Sequence, residues 1–354
     1  MKIHIACNDG SPIDKVWSDI HGNGVGGAEL ALLSLAEQFA KDGHEVRIYN
    51  QTGGPREEAG IIFENINGIN PKETDRVLIT FRSPNERTEF AGAVRKIWWS
   101  TDQYTIGSFK KAAANNEFCI TISPFHTNYL IKTYQLPPDK VAHIDLGVRD
   151  EYVDWDEIEK KKNLCIFCSV PDRGLQVLYA AWPLIARDVP GASLVITSDY
   201  RLWGLPSPKN HYHRLMWADT ENINFLGKVS RTELVKLQMA SEILAYPCTY
   251  EELFCVSVAE CEVAGAYPVT STKGAVPTTN QWGTSVIGDP TRPDFVKEFT
   301  GRIISLLTDD RDFLESQQQI MMREAKERFS WERIAGKWYD LFKHGRVEDE
   351  SHIR

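Results

Sequence analysis

The chain has 354 residues, of which 42% are hydrophobic and 25% are charged, and its formal net charge is −9. At about 100–200 residues per domain, this length predicts two domains. The composition is that of a globular protein, which excludes a disordered, collagen-like or coiled-coil chain. The acidic balance argues against a protein that grips duplex DNA over its whole surface.

Cysteine content and hydropathy predict the compartment. Seven cysteines are an odd number at low density, typical of a reducing compartment and not of a disulfide framework. The sequence shows neither a charged leader before a long apolar run nor a window of about 18 uncharged apolar residues. It therefore predicts a cytoplasmic protein without a transmembrane segment, either free or peripheral to a membrane.

Short apolar runs alternate with amphipathic stretches along most of the chain. In the first 150 residues the predicted strands are 2–6, 45–49, 77–80, 96–100, 118–123 and 141–146, and the clearest helix is 28–41. After a polar stretch at 150–163, predicted to be a linker, strands follow at 164–170, 193–198, 223–226, 243–247 and 267–270, with helices near 175–187 and 231–240. Such alternation predicts parallel sheets with helices on both faces.

The pause near residue 150 divides the chain into two α/β domains of similar size. Ser330 precedes the apolar-periodic run WERIAGKWYDLF, which predicts a capped closing helix. Two doubly wound halves imply a cleft, and such sheets bind ligands outside the carboxyl ends of their strands. The loops that follow strands are therefore the candidate site.

Two loops combine helix starts with phosphate-binding chemistry. GVGGAE places Gly24, Gly26 and Gly27 before a predicted helix, whose free N–H groups attract an anion; these glycines alone also fit a flexible turn. Arg173 follows a predicted strand and could hold a phosphate through two N–H groups. A single arginine is, however, more often a solvated surface residue.

A third loop leads into Glu252 and Glu260, which are eight residues apart. On a helix this spacing is about 12 Å, on roughly the same side. That distance is comparable to the one between the sugar and the ribose of a nucleotide-diphosphate sugar. Carboxylates accept hydrogen bonds from vicinal hydroxyls, and helix N–H groups between them would face the diphosphate. The spacing alone fits two unrelated glutamates equally well.

Taken together, these segments resemble the retaining glycosyltransferases of family 4, which have the GT-B fold. The resemblance rests on GVGGAE, on the S-x-P-D-R-G-L form of the phosphate loop (SVPDRGL), on E-x(7)-E at Glu252 and Glu260, and on FSWERIAGKWYDLF. It implies two Rossmann-like parallel-sheet domains facing across a cleft: an acceptor domain (1–150) and a nucleotide-sugar donor domain (151–329). A C-terminal helix (330–354) would pack back toward the first domain.

The resemblance also implies an activity. It predicts a hexosyltransferase that uses a UDP- or GDP-linked sugar, transfers it with retention to a hydroxyl acceptor, and needs neither a metal nor another cofactor. Glu252 would bind hydroxyls of the donor sugar, and Arg173 would neutralise the diphosphate, so these are the predicted catalytic residues. Glu260 would hold the ribose. The other predicted donor contacts are Gly26, Gly27, Asn224, Phe225, Leu226, Phe254, Cys255 and Val256.

The chain departs from the family pattern at three places. Ser169 stands where many members have an arginine, so phosphate charge rests on Arg173, with Arg201 or Lys273 as helpers. Cys255 replaces a usual glycine. Thr101 or Asp102 stands where many members have a histidine that touches the donor sugar. The predicted acceptor or sugar pocket lies after first-domain strands and comprises Asp19, His21, Arg82, Thr101 and Asp102.

Two other functions fit the same residues: a nucleotide-sugar 2-epimerase on the same fold, and a non-catalytic sugar-nucleotide-binding protein. The acceptor class (sugar, lipid-linked sugar, protein or nucleic acid) and the oligomeric state cannot be read from the sequence. Two Asp-x-Asp matches, Asp154–Asp156 and Asp310–Asp312, lie in charged linker or helical contexts and are expected to be solvated and metal-free. Cys165 and Cys168 are expected in the core.

Overall fold

The computed structural model of the chain describes residues 1–8, 13, 25–152, 158–203, 209–218 and 220–347. By backbone contacts, the chain divides into two compact units. Unit 1 draws on the ranges Met1–Val16, Gly27–Gly147 and Ser330–Arg354, and unit 2 draws on Trp17–Gly26 and Val148–Phe329. The chain therefore leaves unit 1 after Gly147 and returns to it at Ser330, whereas the sequence places the boundary near residue 150.

The described residues of unit 1 form one sheet of eight strands in the order β3-β4-β2-β1-β5-β6-β7-β8. The strands are β1 Lys2–Cys7, β2 Glu45–Asn50, β3 Arg56–Glu58, β4 Ile61–Asn65, β5 Arg76–Phe81, β6 Arg95–Trp99, β7 Phe118–Thr121 and β8 Val141–His143. The helices are α1 Gly27–Lys41, α2 Glu86–Phe90, α3 Phe109–Asn115, α4 Pro124–Tyr134 and α12 Trp331–His344.

One edge of this sheet differs from the prediction. Strand β3 pairs antiparallel with β4, while the other pairs are parallel. The sequence-based prediction includes neither strand. Arg56–Glu58 is wholly charged and has no apolar alternation to signal a strand, whereas the short apolar run at the start of Ile61–Asn65 is the signal that points to β4. The sheet of unit 1 is therefore mixed at this edge and not wholly parallel.

Helix α12 is the closing helix that the sequence predicts. Its N-cap Ser330 accepts a hydrogen bond from the Arg333 amide at 3.2 Å. The helix packs on α1: the rings of Tyr339 and Phe39 lie 5.6 Å apart, and the Tyr339 hydroxyl donates to Asp42 Oδ2 at 2.5 Å. The last helix thus completes the hydrophobic core of unit 1.

The described residues of unit 2 form a sheet of six parallel strands in the order β11-β10-β9-β12-β13-β14. The strands are β9 Leu164–Phe167, β10 Ser193–Ile196, β11 Ile223–Phe225, β12 Ile243–Tyr246, β13 Tyr267–Ser271 and β14 Thr284–Val286. The helices are α5 Leu175–Asp188, α6 Lys209–Trp217, α7 Arg231–Ala240, α8 Val256–Val263, α9 Val276–Thr279, α10 Pro293–Leu307 and α11 Arg311–Arg328.

The core of unit 2 lies on both faces of its sheet. Every residue of β9 and β12 is buried, as expected for central strands of a parallel sheet. Helix α5 packs against α10, and α8 packs against α11. Cys165 and Cys168 belong to this core, although β9 ends at Phe167, so that Cys168 lies just beyond the strand in which the sequence places it.

The stretch 150–163, predicted as a linker, makes specific contacts with unit 2. Residues 153–157 lie outside the described part of the chain. Lys160 Nζ donates to the carbonyls of Ser241 and Ala264 at 2.8 and 2.9 Å. These carbonyls lie at the C-terminal ends of α7 and α8, where a cation is stabilising. This part of the stretch therefore joins two helices and is not a free linker.

Candidate functional site

The candidate site of unit 2 lies where its strand order reverses. From β9 the chain builds outward through β10 and β11, and it then returns to the other side of β9 with β12, β13 and β14. In open α/β sheets, ligands bind outside the carboxyl ends of the strands at such a switch point. Arg173 follows β9 and Glu252 follows β12, so both predicted catalytic residues lie at this point.

Arg173 and Glu252 form an ion pair. Arg173 Nε lies 3.2 Å from Glu252 Oε1, and the two side chains are only 14% and 15% exposed. The Tyr246 hydroxyl donates to the same carboxylate oxygen at 2.8 Å. The guanidinium carbon of Arg173 lies 3.3 Å from the centre of the Tyr250 ring, a cation–π contact. The sequence alone does not identify either tyrosine as part of the site.

Burial is the main cause of the shifted pKa of Glu252. Removal of the carboxylate from water raises its pKa above the usual value, and the Arg173 charge and the Tyr246 hydrogen bond only partly oppose this effect. A carboxyl group with a raised pKa beside a cation, in a loop at the switch point, is a typical feature of a functional site.

Two glycines allow the loops of the site to approach one another. Gly174 has φ +116°, and a Cβ there would overlap the carbonyl oxygen of Pro247. Gly274 has φ +59°, and a Cβ there would overlap the backbone of Glu252. The Ala275 amide also donates to the Glu252 carbonyl at 2.7 Å. Gly274 is not among the residues predicted from the sequence, although a glycine in the loop after a predicted strand is a signal that points to it.

Helix α8 begins directly after Glu252 and its loop. Cys255 caps the helix with φ +75°, which explains why a glycine is usual here. The Thr279 hydroxyl donates to the Phe254 carbonyl, and Ser257 Oγ donates to the Cys168 carbonyl at 2.8 Å. The first N–H groups of a helix, here from Val256 onward, have no intrahelical acceptor. They are the amides from which an anion site is predicted.

The helical spacing assumed for Glu252 and Glu260 is wrong. Helix α8 starts at Val256, so only Glu260 lies on it, and Glu252 lies in the preceding loop. The expected separation of about 12 Å on one helix face therefore does not apply. The left-handed Cys255 is the physical reason, because it interrupts the helical backbone between the two glutamates.

Glu260 belongs to a buried network that the sequence does not predict. Arg231 Nη1 donates to its Oε1 at 2.5 Å, and Gln238 Nε2 donates to its Oε2 at 3.2 Å. Arg231 also donates to Glu151 at 3.1 Å and to the Tyr152 hydroxyl at 3.2 Å. A carboxylate has about four acceptor sites, so these bonds do not exhaust it. Ribose binding by Glu260 stays a prediction.

The three residues predicted near the base lie at an edge of the sheet. Strand β11 is the edge strand, and it contains Asn224, which is exposed, and Phe225. Arg214 lies with its guanidinium carbon 5.5 Å from the Phe225 ring centre and donates to the Leu226 carbonyl at 2.7 Å. The Leu226 amide donates to the Ile196 carbonyl at 2.9 Å. Both backbone groups of Leu226 thus have partners within unit 2, and base binding here stays a prediction.

Arg201, predicted as a helper for the phosphates, is engaged by another residue. Its Nε and Nη2 donate to Asp199 Oδ2 at 2.9 and 2.6 Å. Asp199 also accepts from Asn210 at 2.6 Å and from the Lys228 amide at 3.2 Å. The structure therefore places Arg201 in a contact that organises the loops after β10 and β11.

In unit 1, the predicted pocket residues that the structure describes also form a cluster. Arg82 Nε donates to Asp102 Oδ2 at 2.6 Å, and its Nη1 donates to Glu29 at 2.8 Å. Thr101 Oγ1 donates to Asp102 at 3.3 Å. Arg82 follows β5 with φ +59°. Gly26 and Gly27 lie at the start of α1, two to three residues before Glu29. Asp19 and His21 lie outside the described residues.

Metal and membrane features can be stated only for the described residues. Among them, no group of three or more His, Cys, Asp or Glu side chains is arranged to hold a metal ion. Asp154 and Asp156 lie outside this part, and Asp310 accepts from the Ser305 hydroxyl at the start of α11. No helix in the described part is both long and apolar enough to cross a bilayer. All seven cysteines are described and buried, and none of them forms a disulfide.

Parts of this sequence are similar to known proteins. The family model "Glycosyl transferases group 1" matches residues 161–309, less than half of the chain. The chain is 22% identical over 262 residues to the O-antigen chain mannosyltransferase B of Escherichia coli. That alignment covers 68% of this chain and 64% of the relative, so the chain spans less than two thirds of the relative's length. Both the matching family model and this relative are glycosyltransferases.

Solved structures determine the fold class. A glycosyltransferase from Rickettsia africae superimposes with a TM-score of 0.76 at 15% identity, over 97% of both chains. Anabaena HepE, solved with UDP and glucose, superimposes with a TM-score of 0.68 at 13% identity, over 97% of this chain and 99% of that one. The chain has the GT-B fold. The fold predicted from the sequence, with two Rossmann-like sheets, is thereby confirmed.

Proposed function

We propose that the chain is a retaining hexosyltransferase, which moves a hexose from a nucleotide-diphosphate sugar to a hydroxyl acceptor without a bound metal. The observation that carries this proposal is the buried Arg173–Glu252 pair at the switch point of unit 2. It is supported by the family model over residues 161–309, which include both residues, and by the start of α8 immediately after them.

The two residues of the pair are proposed to bind different parts of the donor. The guanidinium of Arg173 and the first amides of α8 would face the diphosphate, since fixed donors aimed at developing negative charge stabilise a transition state without reorganisation. Glu252 would accept hydrogen bonds from hydroxyls of the donor hexose. HepE was solved with UDP and glucose, and the curated relative is named a mannosyltransferase. The proposed donors are accordingly UDP- or GDP-linked hexoses.

The proposed transfer step needs no protein nucleophile. The acceptor hydroxyl attacks the anomeric carbon on the face that the diphosphate leaves, so one C–O bond forms while the C–O bond to the phosphate breaks. The acceptor proton passes to an oxygen of the leaving diphosphate. Attack and departure on the same face retain the anomeric configuration. Arg173 would stabilise the charge that develops on the leaving group.

Donor binding is tested first, by thermal shift with UDP, GDP, ADP and their hexose conjugates. A ligand that binds only the folded state raises the melting temperature. Turnover of the best donor is then followed by NMR of the anomeric proton, with and without oligosaccharide acceptors. Retention of configuration in the product is the expected result, and an inverted product would contradict the proposed step.

The variant Glu252→Gln tests the role of the pair. It should lower turnover about 10–100-fold, since a buried hydrogen bond to a charged group contributes about 1.5–3 kcal/mol. The matched control is Glu251→Gln at the exposed neighbour, which should behave as wild type. Wild-type turnover in Glu252→Gln would refute the assignment.

Two other outcomes would favour the alternative functions. A product with inverted C2, formed from the donor in the absence of acceptor, would indicate the epimerase. Nucleotide binding without any turnover would indicate a non-catalytic binding protein.

A further inference from the structure

A cavity of about 330 Å³ lies in unit 2 around the start of α5. Its walls come from α5, from α6 and from the loops after β9, β10, β12 and β14. The lining residues that matter here are Asp172, Gln176, Tyr212, His213, Thr249 and Thr291. The volume lies at the lower end of the range of small-molecule pockets, about 300–1,000 Å³.

This cavity is distinct from the Arg173–Glu252 pair, although the same two loops build both. Asp172 and Thr249 line the cavity, while their chain neighbours Arg173 and Tyr250 make the cation–π contact of the pair. The Thr249 hydroxyl donates to the Asp172 carbonyl at 3.1 Å, which joins the two loops. Neither Arg173 nor Glu252 lines the cavity.

The charge of the walls selects against an anionic occupant. Among the described lining residues, Asp172 is an acid and none is a lysine or an arginine. Asp172 Oδ1 accepts from the Tyr200 hydroxyl at 2.6 Å, and a carboxylate has about four acceptor sites, so it can also accept from ligand hydroxyls. The Gln176 amide adds donors and an acceptor without charge. Thr291 Oγ1, which donates to Asp289 Oδ1 at 2.8 Å, can accept from a ligand hydroxyl. Both residues are exposed.

An aromatic side chain completes one wall. Tyr212 is 58% exposed, and its ring meets that of His213 edge to face, with 5.6 Å between the ring centres. An exposed tyrosine offers an apolar face and a polar tip to a ligand of mixed character. A neutral saccharide has this character, since its C–H faces are apolar and its rim carries hydroxyls.

We propose that this cavity binds a neutral saccharide, with one sugar ring on Tyr212 and its hydroxyls on Asp172, Gln176 and Thr291. This inference does not rest on the proposed function, because the cavity lacks the residues of the donor pair. A saccharide bound there would touch the two loops that carry Arg173 and Glu252. The site would thus hold a glycan on the same unit that is proposed to hold the donor.

The test is saturation-transfer NMR on the full chain, with mannobiose, maltotriose and cellobiose as neutral probes and a uronic-acid disaccharide as the charged comparison. At least one neutral probe should bind, and the uronic-acid disaccharide should bind more weakly because of Asp172. Tyr212→Ala and Thr291→Val should each weaken binding, the former about tenfold. Tyr104→Ala, at a 75%-exposed tyrosine of unit 1, is the matched control and should leave binding unchanged.

Each contrary result overturns the proposal. The inference fails if no neutral probe binds, if the uronic-acid disaccharide binds best, or if correctly folded Tyr212→Ala and Thr291→Val both bind as wild type. Loss of binding in Glu252→Gln with retention in Tyr212→Ala would place the sugar at the donor pair instead. If the wild-type chain binds a neutral probe but turns over no donor, the result counts against the proposed function and not against this site.

Discussion

The two units hold similar arginine–carboxylate clusters in loops at the carboxyl ends of their parallel strands, but the clusters differ in burial. In unit 2, Arg173 and Glu252 are 14% and 15% exposed. In unit 1, Arg82, Asp102 and Glu29 are 25%, 34% and 31% exposed. The arginine of unit 1 joins two carboxylates, while the carboxylate of unit 2 takes an arginine and a tyrosine hydroxyl.

This difference in burial changes what each ion pair contributes to stability. A partly exposed ion pair stabilises a fold by about 0–1 kcal/mol, and the Arg82 cluster joins the loops after β5 and β6 to α1 at small cost. A buried pair carries a desolvation penalty that its attraction barely offsets. Arg173 and Glu252 therefore contribute little to stability, and a ligand is the better explanation of why they lie together.

The largest expected effect is on the free energy of unfolding, and it concerns the buried network around Arg231 in unit 2. Arg231→Met should lower the free energy of unfolding by about 3–5 kcal/mol, because Glu260 loses the cation that compensates its burial, while Glu151 keeps Arg149. Arg82→Met, in the more exposed cluster of unit 1, should cost about 1 kcal/mol or less. Urea denaturation measures both values. Equal losses in the two variants would contradict the importance given to burial.

The next effect concerns activity. Arg173→Ala should lower donor hydrolysis, measured without acceptor, by about 10²–10³-fold, the effect of removing one preorganised donor from a developing anion. Arg82→Ala should lower donor hydrolysis less than Arg173→Ala does, because Arg82 is not predicted to contact the diphosphate on which charge develops. A similar loss in both variants would show that the two clusters do not differ in function.

A smaller effect tests the close approach of the loops in unit 2. Gly174→Ala should destabilise the chain by about 1–3 kcal/mol, since it adds an overlap with the Pro247 carbonyl to the strain of φ +116°. Gly191→Ala is the matched control, because Gly191 has φ +78° and nothing within 4 Å of its would-be Cβ. In thermal unfolding, the melting temperature of Gly174→Ala should be lower than that of Gly191→Ala. The reverse order would show that contact with β12 does not constrain this loop.

The smallest effect is a pH dependence at Glu262, a fully buried carboxyl of α8. Burial raises its pKa well above the usual value, against the charge of Arg328. The folded state therefore binds a proton more tightly than the unfolded state, so this group's contribution to stability is present at low pH and is lost as pH rises through the folded-state pKa. Glu262→Gln removes the titration.

Melting curves of Glu262→Gln and wild type should therefore converge near about pH 5 and diverge toward about pH 9, with the variant more stable by about 1 kcal/mol. A constant difference between Glu262→Gln and wild type across this range would mean that Glu262 does not titrate differently in the folded chain.

Much of the fold and part of the site are predictable from local pattern. Period-two and period-3.6 hydrophobicity locate most strands and helices, and the S-x-P-D-R-G-L and E-x(7)-E segments identify Arg173 and Glu252. The strand β3 escaped prediction because it is charged and is stabilised by pairing with β4. The partners of Glu260 also escaped, because Arg231 and Gln238 lie on α7 and reach it only after α7 and α8 pack together.

By itself, the sequence determined the alternation of strands and helices, the two-sheet architecture and the loops that follow the strands, because these depend on interactions between near neighbours in the chain. Only the tertiary structure decided that Arg173 pairs with Glu252 and that Glu260 is held in a buried network. Only it showed that Asp172 and Thr249 line a cavity separate from the Arg173–Glu252 pair. Such contacts join residues far apart in sequence, and they depend on how closely loops approach, for which Gly174 and Gly274 have no side chain in the way.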